Sequence, residues 1–160
     1  MEVAVTLAVL GVLLLASVAG YRAIHGQANS TVAATSLSRV AAAQASMHRE
    51  WGRYTPYGAD LSLAGADVTA VDNVASSSPS QVSIAAGTKG GVGLAAADGR
   101  GTCVLAYLPP PTDTDSDLVS LGASSPAVCN GAAALSAAGG PSDTPIPAVT
   151  GGTTIRGDDY

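Results

Sequence analysis

Met1-Glu2-Val3-Ala4-Val5-Thr6-Leu7-Ala8-Val9-Leu10-Gly11-Val12-Leu13-Leu14-Leu15-Ala16-Ser17-Val18-Ala19-Gly20 opens the chain, and its reading decides the fold. One carboxylate, Glu2, heads a run with no other charge from Val3 to Gly20, and no proline occurs before Trp51. The run is long enough for a membrane span, and Tyr21 and Arg22 follow it as interfacial anchors. A secretory signal has a basic start and a small-residue cleavage site, whereas this start is acidic. A soluble core helix would not be apolar on every face. In hydrocarbon an ionised carboxylate costs ~2.5 to 3.5 kcal/mol, so the acid demands a cation. The first basic side chain, Arg22, lies about 30 Å away along a helix, so the partner must come from elsewhere.

Beyond Tyr21 the helical pattern changes without stopping. Leu37, Val40, Gln44, Met47 and Trp51 recur at helical steps and form one stripe, with Ser36, Ser38, Arg39, Ser46, His48, Arg49 and Glu50 on other faces. That stripe should pack on something globular. Gly26, Asn29, Ser30 and Thr31 are weak helix formers, from which a flexible or kinked stretch is expected. Gly52 and then Thr55-Pro56-Tyr57-Gly58 end the helix.

From Asp60 onward the signals are short and strand-like. Asp67 to Val74, Ser80 to Ala86, Gly91 to Ala97 and Thr102 to Leu108 alternate in part and are separated by Ser/Pro, Lys89-Gly90 and Asp98-Gly99 turn signals. An antiparallel meander covered by the helical stripe is expected. Pro109 to Pro111 break the sheet, a polar loop runs through Asp117, and a last apolar piece spans Leu118 to Leu121. The fold class is α+β: a long N-terminal helix on a small antiparallel sheet, with a disulfide-closed C-terminal loop and an extended tail. The expected division is a membrane or filament-core helix over 1–26, a globular head over 27–135 and a Gly/Ser/Thr/Pro-rich tail over 136–160.

Composition limits the chemistry. With no Phe, one Trp and five Tyr, the core must be Val, Leu, Ile and Ala. A net charge of −5 argues against a basic nucleic-acid groove, although Arg49, Arg53, Lys89 and Arg100 could form local basic strips. Cys103 and Cys129 have no metal-ligand spacing. They read as a disulfide outside the cytoplasm, closing a loop whose constraint stabilises by ~3 to 4 kcal/mol. Two separate buried thiols are the other reading.

Other motifs carry less. Asp113, Asp115 and Asp117 could offer oxygens to calcium, but Leu118 stands where the calcium loop has its turn glycine and Ser124 where it has its bidentate glutamate, so a solvated acidic loop is expected. His25 and His48 have no ligand-spaced companion. No nucleophile elbow, phosphate loop or carboxylate pair accompanies the serines, so neither an enzyme nor a cofactor is expected. Arg156-Gly157-Asp158 matches an adhesion tripeptide by chance. Asn29-Ser30-Thr31 has the form of a sequon on the helix, and the tail over Ser136 to Thr154 suits O-linked sugar better.

The opening residues resemble the N-terminal helix of the type IV pilin family, in which a glutamate within an apolar helix is followed nine positions later by glycine, as Glu2 is by Gly11. Tyr21 falls where the family often has tyrosine. Residues 43 to 55, Ala-Gln-Ala-Ser-Met-His-Arg-Glu-Trp-Gly-Arg-Tyr-Thr, resemble the helix end and turn of pilins and pseudopilins. The cysteine pair is similar to that bounding the C-terminal region of many members. Two departures stand out. The family glutamate is fifth in a processed, N-methylated chain, whereas Glu2 is second, so either a leader and three residues are missing or processing differs. Ala19 stands where many members have a kinking proline, so any break is expected nearer Gly20 or Gly26.

The resemblance implies a structural subunit that polymerises into a cell-surface filament from a membrane pool, with inner-membrane assembly machinery and a prepilin peptidase as partners. The implied assembly residues are Glu2, paired with a neighbour's amino terminus, together with Gly11, Ala4, Ala8, Leu7 and Leu14. Ala4, Ala8, Gly11 and Ala16, at steps of 4, 3 and 5, make a small-residue face for close helix packing. The alternatives are a type II secretion pseudopilin, a competence pilus subunit that captures DNA, or a monomeric membrane-anchored binding domain.

Overall fold

The computed structural model describes residues 2–63, 68–110 and 119–138, with the backbone alone for 2–26 (apart from Ser17) and for 62–63. Helix α1 runs from Glu2 to Trp51. It is followed by α2 (Gly58–Leu63), β1 (Thr69–Asp72), β2 (Gln81–Ala86), β3 (Val92–Ala97), β4 (Cys103–Leu108), β5 (Val119–Ser124) and α3 (Gly131–Ala137). The class is α+β. The five strands form one sheet in sequence order.

α1 is uninterrupted through Gly26 and Asn29–Thr31, contrary to the break expected there. The hydroxyls of Ser30 and Thr31 each donate to the Gln27 carbonyl at 3.0 Å, which satisfies them within the helix. Asn29 Nδ2 donates to the Asp98 carbonyl at 3.1 Å and pins the helix to the β3–β4 turn. At the other end Gly52, at φ +71, donates its N–H to the His48 carbonyl. This is the left-handed helix stop that glycine adopts without steric cost.

Alternation along the strands sorts the core into two layers. Val82, Ile84, Val92, Leu94, Ala96, Ala106 and Leu108 gather with Ala33, Leu37, Val40 and Met47 of α1. The intervening Ala95, Cys103 and Leu105 gather with Ala134 of α3. The sheet is therefore sandwiched between α1 and α3. The helical stripe is confirmed with two corrections. Trp51 is 50 % exposed, because the helix lies buried only as far as Met47 and its last turn overshoots the sheet. Ser36, assigned above to another face, is buried.

The expected antiparallel meander is correct for β2 through β4, which β5 extends past the prolines expected to break the sheet, and wrong for β1, which pairs parallel with β2 from Thr69↔Gln81 to Asp72↔Ile84. No tight turn joins β1 to β2. Residues 73–80 instead run back to the start of β2, and Ser76 secures that passage: its Oγ accepts from Ala97 N and donates to the Gln81 carbonyl, and its N–H donates to the Cys129 carbonyl. Three further elements are additions to the sequence reading: α2, β5 and α3, whose last residue, Ala137, lies inside the segment read as tail. α2 sits against β1, where Gly58 N donates to Asp72 Oδ1 and a Cβ on Gly58 would meet the Ala70 carbonyl at 2.3 Å.

The passage from α1 to α2 is held by one buried amide. Gln44 is fully buried; its Nε2 donates to the Thr55 carbonyl at 2.6 Å and its Oε1 accepts from Thr55 N at 2.9 Å. Thr55 Oγ1 in turn donates to Asp60 Oδ2 at 2.7 Å. Gln44→Leu leaves both Thr55 backbone groups without these partners, at roughly 1 to 3 kcal/mol for each buried group. A fall of about 3 kcal/mol in unfolding free energy is expected by urea titration, and an unchanged midpoint would refute the clamp.

Candidate functional site

α1 is the candidate site, since it carries every implied assembly residue. Glu2 is its first residue, and Ala4, Leu7, Ala8, Gly11 and Leu14 follow along its backbone; their side chains lie outside the described residues. At about 100° per residue on an unbroken helix, the Cα positions of Ala4, Ala8 and Gly11 fall within about 60° of one another. Ala16 is about 120° from Ala4 and leaves the small-residue face, which corrects the expectation above. Glu2 falls about 160° from Ala4, on the other side of the helix.

The second half of α1 adds a surface that the sequence reading missed. Opposite the sheet, Ala28, Thr31, Val32, Ala34, Thr35, Ser38, Ala42 and Ala45 are exposed, with the exposed Arg39 among them. The hydroxyls among them turn inward: Thr31 donates to the Gln27 carbonyl, Thr35 to the Thr31 carbonyl at 2.9 Å and Ser38 to the Ala34 carbonyl at 3.0 Å. Hydroxyls so satisfied need no water, which lets the part of the face before Arg39 meet another apolar surface. The visible signal was the lack of any Lys, Arg, Asp or Glu between Arg22 and Arg39.

Cys103 and Cys129 are joined in a disulfide with Cα atoms 5.5 Å apart. Cys103 opens β4, and Cys129 lies between β5 and α3. The N-terminal amides of α3 are capped by three separate side chains: Gly131 N donates to Ser83 Oγ, Ala132 N to Asn73 Oδ1 and Ala133 N to Asn130 Oδ1. Asn73 holds φ +47 to make that contact.

The remaining candidates are dispersed. Arg49, Arg53, Lys89 and Arg100 are all exposed, but Lys89 and Arg100 sit in turns at opposite ends of β3 and make no single strip. Asp113, Asp115, Asp117, Arg156 to Asp158 and the tail beyond Ala138 lie outside the described residues. Among the described residues no group of three or more His, Cys, Asp or Glu could hold a metal ion. Asn29, the sequon residue, commits its Nδ2 to the Asp98 carbonyl.

His48 stacks at a tilt on Tyr54, with ring centroids 5.2 Å apart. Tyr54 is buried, and desolvation raises its phenol above the usual 10.0. The neutral phenol is the form that the fold favours, so this stabilisation is complete below about pH 10 and is lost as pH rises through the raised value. Tyr54→Phe is expected to flatten the alkaline loss of stability relative to the parent chain; superimposable pH profiles would contradict it.

Among the described residues no helix is long and apolar enough to cross a membrane. The side chains of the run from Val3 to Gly20, apart from Ser17, are outside that set. No protein-family model, curated protein or solved structure matches the chain.

Proposed function

We propose that the chain is the structural subunit of an extracellular filament of the type IV pilus kind, assembled through α1 from a membrane-resident pool. The observation that carries this reading is the excess length of α1. α1 runs unbroken over 50 residues from Glu2 to Trp51, about 75 Å of helix at ~1.5 Å per residue, and the part of it that packs in the described core spans Ala33 to Met47. That excess contains the uncharged run. A helix apolar on all sides requires lipid or protein around it, and among the described residues the core of one head takes in α1 only from Ala33 to Met47. Many copies side by side can cover the first.

The two faces of the apolar half give the assembly its direction. A small-residue face and an acid on opposite sides of one helix require two different neighbours, and head-to-tail contacts that do not close generate open helical filaments. The inward-turned hydroxyls opposite the sheet extend the contact surface into the head. Charge neutralisation of Glu2 by a neighbour's amino terminus would set the register. The reading includes inner-membrane assembly machinery and a prepilin peptidase as partners, no cofactor, no enzymatic activity and no direct nucleic-acid capture by so acidic a chain. A secretion pseudopilin shares this geometry and differs in the length of fibre formed. A monomeric membrane-anchored binding domain is the reading from another class.

Electron microscopy of filaments sheared from the native cells, with the polypeptide identified by mass spectrometry in the same fraction, tests the proposal. Thin helical fibres composed mainly of this chain are expected. Recovery solely from membranes as a monomer would overturn it in favour of the anchored domain.

A further inference from the structure

We infer that the Cys103–Cys129 disulfide is exchanged through Cys129, and that the uncharged segments around it, which expose Val74 and Val128, seat the dithiol oxidoreductase that carries out the exchange. The two cysteines are unequally placed. Cys103 is 1 % exposed and lies beneath α3 with Ala95, Leu105 and Ala134. Cys129 packs against the same cluster but is only partly buried, in the irregular segment leading into α3. Thiol–disulfide exchange depends on which sulfur an incoming thiolate can reach, and here the less buried residue is Cys129.

The surroundings of Cys129 supply the recognition. Residues 73–76 run alongside 129–132, fixed at one end by Ala132 N donating to Asn73 Oδ1 and at the other by Ser76 N donating to the Cys129 carbonyl. Five large hydrophobic side chains are exposed among the described residues, and two of them are Val74 at 62 %, on the first of these segments, and Val128 at 49 %, directly before the second. No charged residue occurs from Asn73 to Ser80 or from Val119 to Ala138. A partner whose sulfur bonds to Cys129 must press its own surface against this uncharged, aliphatic ground, so an oxidoreductase with an apolar rim around its dithiol fits.

In the direction of disulfide formation, the Cys129 thiolate attacks the partner's disulfide. The partner's S–S bond breaks, a mixed disulfide forms on Cys129, and the partner's other sulfur leaves as a thiolate. Cys103 then attacks the Cys129 sulfur, closing the native bond and releasing the partner's second thiolate. Two electrons pass from the cysteine pair to the partner, whose two thiolates take up the two thiol protons. Reduction follows the same path in reverse. The inference is independent of filament assembly.

The oxidised full-length chain is to be incubated with a reduced thioredoxin-type protein whose resolving cysteine is replaced by serine, which traps the mixed disulfide for peptide mapping. Adducts on Cys129 are expected to exceed those on Cys103 by about tenfold or more; an even split or a preference for Cys103 overturns the inference. Val74→Asp with Val128→Asp, and separately Val74→Ser with Val128→Ser, then test the docking surface. Trapping by the protein probe is expected to slow about fivefold while reduction by dithiothreitol keeps its rate. No slowing, or equal slowing with both reductants, refutes the docking surface, with circular dichroism confirming that each variant is folded.

Discussion

Gly93→Ala is expected to evict α3 from the sheet. A Cβ at Gly93 would stand 2.2 Å from the Gly131 carbonyl oxygen, 2.8 Å from Leu135 Cγ and 2.9 Å from Leu135 N. Two of those three atoms are backbone, so no rotamer change relieves the clash. Gly131 is equally confined, since a Cβ there would meet Ala85 N at 2.3 Å. The helix must lift by about an ångström or more, and the buried side chains of Ala134 and Leu135 lose their packing. The Ser83, Asn73 and Asn130 caps act on the same turn and loosen together.

A destabilisation of about 3 to 5 kcal/mol is expected. Its upper bound is the docking energy of α3, because the chain can release the helix rather than absorb the strain. Hydrogen exchange distinguishes release from global loss. Amides of 131–138 should exchange at nearly unprotected rates while β2 to β4 remain protected. The disulfide keeps the released segment tethered. Native stability and a protected α3 in Gly93→Ala would show that the close approach does not exist.

Glu2→Ala is expected to abolish filaments while the head remains folded and disulfide-bonded. The substitution acts on both ends of the assembly equilibrium. It removes a carboxylate that costs ~3 kcal/mol in lipid, which shifts the balance toward the membrane pool by about a hundredfold. It also removes the charge that a neighbour's amino terminus would meet. The variant should accumulate in membranes, with the same urea midpoint for its head as the parent. Filaments of unchanged abundance and helical order in Glu2→Ala would sink the proposed role of Glu2. Head and assembly helix are treated as separable because the α1 residues of the described core run from Ala33 to Met47, far along the helix from Glu2.

How much of this protein could be read from its residues depends on how local each signal was. The strand interiors of β2, β3 and β4 were visible in short Val, Ile and Leu runs between turn signals, because partial alternation and turn chemistry are properties of a few adjacent residues. The parallel entry of β1 was not visible. It depends on Ser76 bonding to Ala97 and Cys129, residues 21 and 53 positions away. α3 was missed for a similar reason. Its Ala-rich sequence has little to bury by its own composition, and it is helical where its N-terminus finds caps from β2 and the loop after β1. Seven residues are too few to hold a helix alone in water.

By itself the sequence determined a long helix headed by one acid, its stop at Gly52, an aliphatic core and a cysteine pair fit for a disulfide, since periodicity, capping and composition require no knowledge of distant neighbours. The tertiary structure alone decided that the sheet is mixed, that it is covered on both faces, that Trp51 faces solvent, and that Gln44 closes on Thr55. Each of those outcomes is set by which groups meet across the fold, and a buried amide or a glycine under a helix is defined only by what lies against it.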